Sequence, residues 1–133
     1  MSPLIVSTLP HYLAVVPFFK GCKLPYIIRS YISTIILSST LSIIWYLNPS
    51  STQIMVADYS AAGIWGVLDI ILAQQTDNFT VISRIVILDG GVFCLNIFIN
   101  IFLIKYYVLF HSLWHCLSAI KCIYVSHLFA NYI

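Results

Sequence analysis

The chain is 133 residues long, 61% hydrophobic and only 8% charged, with six Lys/Arg, four Asp, no Glu and a mean hydropathy of +0.99. Soluble domains carry about a quarter charged residues, so these side chains cannot form the polar skin of a soluble enzyme, and the absence of a basic stripe excludes nucleic acid as a partner. High apolar content with a net charge of only +2 excludes disorder and leaves an all-α polytopic membrane protein, because a spanning segment must satisfy its backbone polar groups internally.

A span needs about 20 residues. The length therefore holds four or five spans in a single integral-membrane domain, residues 1–133, in an endomembrane or the plasma membrane. The first segment, roughly 4–19, is short, apolar and interrupted by Pro10 and Pro17. It lacks the basic start and small-residue cleavage site of a signal peptide. Lys20 and Lys23 follow in a loop, with Arg29 just beyond, and this cluster of cations is expected on the cytoplasmic side.

The second segment covers about 26–47, with Trp45 and Tyr46 as an interface anchor. Asn48 to Thr52 reads as a turn. The third segment, about 54–73, carries Asp58 and Asp69, and Gln74 to Asn78 forms a polar loop. The fourth, about 79–104, contains Arg84, Asp89 and the Gly90-Gly91 pair. The fifth runs over about 106–129. Every Pro lies at or before residue 49, so the later helices should run without proline kinks. Asn78-Phe79-Thr80 matches a glycosylation pattern, but this topology puts it in the cytoplasm, where it should stay unmodified. Cys22, Cys94, Cys116 and Cys122 form no C-x-x-C pair and read as free thiols packed among helices. The spacing Ala62-x-x-x-Gly66, with Ala61 and Gly63 beside it, suits close association with another helix or a second copy.

Ionisable groups inside spans are expensive and need a reason. His111 and His115 stand four residues apart in His-Ser-Leu-Trp-His, which puts both imidazoles on one helix face. Two neutral imidazoles so placed can share a divalent metal, zinc above all; the alternative is hydrogen bonding to neighbouring helices. Asp58 opens the third segment, either as a carboxylate favoured by the helix dipole or as a group that orients a metal-bound water. Segments one, three and five run parallel. At about 1.5 Å per residue, Asp58 and His111 lie about 6 to 8 Å from the same surface, and His11 about 10 Å. His127 is about 24 Å along the helix from His111 and belongs to the other interface. Asp69 and Asp89 read as structural, and Arg84, five residues from Asp89, does not share its face. A haem or quinone anchor would need facing histidines at one depth, and only His11 could pair with His111.

The run His111-Ser112-Leu113-Trp114-His115-Cys116, with the earlier Asp58-Tyr59-Ser60, resembles the CREST superfamily, which includes alkaline ceramidases, progestin/adiponectin-type receptors, GPI lipid-remodelling, SID-type and myomaker-like proteins. The His-Ser-x-x-His-Cys form is most similar to the myomaker-like branch. The resemblance covers about two short motifs. It implies a bundle of seven helices, here partial, and a zinc-dependent hydrolase of lipid amides or esters. It further implies His111 and His115 as zinc ligands from the last helix, and Asp58 as the acid that holds the zinc-bound water. Ser112 belongs to the same motif and is expected at the catalytic site. The family's second helix offers Ser-x-x-x-His. The second segment has Ser38, Ser39 and Ser42 but no His, so the third ligand is absent from its expected place and would come from His11, which otherwise reads as a helix-capping histidine beside Pro10, or from a partner chain. One span separates the motif helices where the family has three, so both motifs still face the same side. The competing expectation is a non-catalytic subunit that packs against other membrane helices.

Overall fold

The computed structural model describes residues 2–20 and 23–132. Among them the chain is helical and contains no strand. The helices are α1 (Pro3–Thr8), which runs into a 3-10 segment (Leu9–Lys20), then α2 (Tyr26–Leu47), α3 (Thr52–Gln75), α4 (Phe79–Phe102), a 3-10 turn (Ile104–Tyr106) and α5 (Tyr107–Ala130). Four stretches, namely α2, α3, α4 and Ile104–Ala130, are long and apolar enough to cross a membrane. The chain is an all-α, multi-pass membrane bundle.

The helix ends follow from local chemistry. Pro25 starts α2, and after Leu47 the backbone leaves the helix at Asn48, before Pro49. Ser51 caps α3 by accepting from the Ile54 N–H, and Asn78 caps α4 by accepting from Thr80 and Val81. Between these helices Asp77 takes a left-handed φ of 48°, a conformation that Asp tolerates better than most residues. The fourth segment ends at Phe102, short of the expected 104, because the chain breaks at Leu103 to make the turn into α5.

The first segment departs from the single helix expected over 4–19. Only six residues are α-helical; the next twelve are 3-10. Pro10 and Pro17 bring no N–H to the ladder, so the chain tightens and lengthens. Six residues at about 1.5 Å and twelve at about 2.0 Å cover about 33 Å, close to the bilayer's apolar thickness of about 30 Å.

Contacts along the chain give the direction of each helix. His11 meets His115 near the start of α5, while Phe18 and Phe129 both stack edge-on against Tyr31. The first segment and α5 are therefore parallel, and α2 runs against them. Asp58 bonds to the end of α2 and Asp69 to its beginning, so α3 is parallel to α5. Trp114 donates to the Val92 carbonyl and Lys121 reaches Asp89, which sets α4 antiparallel to α5.

The apolar core fills one half of the bundle. Phe18, Ile28, Tyr31, Ile35, Ile85, Val125 and Phe129 are buried there. In the other half the buried residues include His11, Ser38, Ser39, Asp58, His111 and His115, and a cavity opens between the helices. Cys122 is packed as expected of the thiols, but Cys94 and Cys116 are exposed, because their positions face outward on α4 and α5; Cys22 lies outside the described residues.

Candidate functional site

The cavity is about 650 Å³, a normal size for a small-molecule site. His11, Asp58, His111 and His115 all line it, and each is more than nine-tenths buried. The His111 and His115 rings are 4.8 Å apart, and His11 stands 5.7 Å from His115 on its other side. Helical rise places these groups at one level, and the packing of the first segment against α5 supplies the lateral contact.

Ser112 is not brought in. Its hydroxyl donates to the Val108 carbonyl at 2.6 Å, and it takes no part in the cavity lining. One residue turns an α-helix by about 100°, so a side chain next to His111 cannot share its face. His127 is exposed at the far end of α5.

Tyr46 joins the histidines. Its hydroxyl lies 3.0 Å from His111 Nε2 and 2.5 Å from His115 Nε2. A phenol has one proton to give and lone pairs with which to accept. It therefore donates to one imidazole and accepts the Nε2–H of the other, making a three-membered relay of neutral groups. On the same helix, one turn earlier, Ser42 donates to Asp58 Oδ1 at 2.5 Å. His11 is fixed differently. Its Nδ1–H donates to the Thr8 carbonyl at 2.9 Å, which leaves Nε2 as a bare lone pair.

These residues do not fit a three-histidine zinc site as placed. Among the described residues, no group of three or more His, Cys, Asp or Glu side chains is positioned to hold a metal ion. The Tyr46 oxygen stands where the Nε2 atoms of His111 and His115 converge. Zinc-bound histidines almost always donate their outer N–H to a partner, yet Nδ1 of His111 and Nδ1 of His115 are both buried without one among the described residues. Only His11 has the supporting hydrogen bond. Tyr46 follows Ser42 by four residues, the position at which the resemblance calls for histidine. That register was the available signal for Tyr46, whose place at a helix end suggested an interface anchor instead.

A second polar cluster lies further along the helices. Lys121 Nζ bridges Asp69 Oδ2 at 3.0 Å and Asp89 Oδ1 at 2.6 Å. Tyr31 donates to Asp69 Oδ1 at 2.5 Å and accepts from Trp65 Nε1 at 3.2 Å. The ammonium also sits 5.9 Å from the Trp65 ring centre, within cation–π range. Asp69 and Asp89 thus hold α3, α4 and α5 together through a lysine whose role the sequence alone did not suggest.

Comparison with protein-family models, with curated proteins and with solved structures finds no match.

Proposed function

We propose that this multi-pass membrane protein takes a lipid amide or ester into its intramembrane cavity and binds it without hydrolysing it, as a divergent, metal-free relative of the CREST group. The observation that carries the reading is the convergence of Tyr46, His111 and His115 beside Asp58 on a cavity inside the bundle. Polar groups at membrane depth are costly and mark sites by default. A phenol, two imidazoles and a carboxylate offer both donors and acceptors to a carbonyl-bearing head group. Much of the remaining wall on α3 and α4 is apolar, with Val67, Ile70, Phe93 and Ile97 beside glycines of both helices, and suits an acyl chain. Hydrolysis of such a lipid would call for the zinc that the resemblance implies, and the arrangement of Tyr46 argues against it.

Mass spectrometry of lipids that copurify with the detergent-extracted chain tests the reading. The expected result is a lipid amide or ester retained by the wild type and depleted in Tyr46→Leu. Recovery of bulk membrane lipids alone, in equal amounts from both proteins, would count against a site and in favour of a packing subunit.

A further inference from the structure

We propose that the cavity takes an amphipathic ammonium: a lipid whose head group bears a protonated amine, held by Asp58 and the aromatic rings beside it. The proposal rests on the reading that the cavity binds a lipid, and it names the charge of that lipid's head group.

The charges around the cavity do not balance. Asp58, Asp89 and Lys121 line it, and Asp69 lies directly behind, bonded to Lys121. Three carboxylates thus share one ammonium, and that ammonium is committed to Asp69 and Asp89. Asp58 has no basic partner among the described residues; Oδ1 accepts from Ser42, and Oδ2 takes no hydrogen bond from them. Its residue is only 6% exposed and lines the cavity. A buried charge is normally paired.

The chain itself shows what a complete arrangement looks like in this cavity. The Lys121 ammonium lies between carboxylate oxygens and near the face of Trp65. Asp58 shares the cavity wall with a further aromatic group, Trp45, Tyr46 and Tyr59. Tyr59 adjoins it in sequence; Trp45 and Tyr46 follow its partner Ser42 by about one turn. The Trp45 ring centre is 5.4 Å from that of Tyr46 and 5.7 Å from that of Tyr59. Aromatic faces attract cations within about 6 Å, and more strongly once water is excluded. An ammonium would pair with the ionised carboxylate, and an anionic head group would be repelled by it.

All three tryptophans of the chain line this cavity, so intrinsic fluorescence reports its occupant. The probes are alkyl chains of one length with a bromine quencher at the tail and an ammonium, a hydroxyl, a methyl ester or a carboxylate at the head. They are titrated into the purified chain in phosphatidylcholine nanodiscs. The expected result is that the ammonium binds at least about tenfold tighter than the alcohol or ester, and that Asp58→Asn removes this preference while keeping the bond to Ser42. Tyr59→Leu, at a position that is 45% exposed, should lower the preference without touching the carboxylate, and serves if the Asn variant does not fold. Equal affinity for ammonium, alcohol and ester, tightest binding of the carboxylate, or a preference that survives both substitutions would overturn the ammonium and leave the lipid site standing. No saturable quenching by any probe would overturn both.

Discussion

At the scale of single residues, the site is held by hydrogen bonds that have few substitutes at membrane depth. Tyr46→Phe removes one oxygen and with it the bonds to His111 and His115. Leaving buried polar atoms unpaired costs about 1–3 kcal/mol; we expect a loss of that order in reversible unfolding by a denaturing detergent, with helix content unchanged. Lys121 carries more. Its removal leaves Asp69, fully buried, and Asp89 without their cation. Breaking a buried ion pair from one side costs about 3–5 kcal/mol, whereas replacing all the charges together is often near neutral. Lys121→Met should therefore lose folded protein on extraction, and the triple change Lys121→Met, Asp69→Asn, Asp89→Asn should recover most of it. A triple variant no more stable than Lys121→Met would show that the lysine acts through something other than its charge.

At the scale of helices, much was legible in the sequence. The limits of α2, Tyr26–Leu47, follow from Pro25 and the Asn48-Pro49 turn that flank one apolar run. The common depth of His11, Asp58, His111 and His115 follows from helical rise. What rise cannot supply is the lateral arrangement, because hydropathy marks a span without saying which side faces which neighbour. Tyr46 and Lys121 are missed for that reason: each gains its role from residues more than thirty positions away. Ser112 fails for the opposite reason, since a motif groups neighbours in sequence that a helix turns to different faces. In the small-residue stretch of α3, Ala61 is buried, and a side chain added at Gly63 or Gly66 would meet no atom of the described residues within 4 Å; both glycines line the cavity. Gly63→Leu is accordingly expected to insert and fold with wild-type helicity while copurified lipid falls severalfold. Unchanged lipid with a changed oligomeric state would assign the stretch to packing against another helix or a second copy.

At the scale of the whole molecule, the bundle divides its work along the membrane normal. One half is built around Tyr31, against which Phe18 and Phe129 stack and whose hydroxyl bonds to Asp69; the other is an open cavity whose walls carry histidines, a tyrosine and Asp58, which has no basic partner among the described residues. The 3-10 stretch of the first segment allows a short sequence to reach from the core to the cavity and set His11 beside His115. Tyr46 bonds to both His111 and His115 where a metal they shared would sit, so the metal content of the detergent-purified chain, measured by atomic spectroscopy, is the most direct test of a metal-free site. The expected result is no stoichiometric zinc in the wild type and a gain of zinc in Tyr46→His, where a third imidazole would join His111 and His115. Stoichiometric zinc in the wild type, lost in His115→Ala, would contradict it and restore the metal-dependent hydrolase.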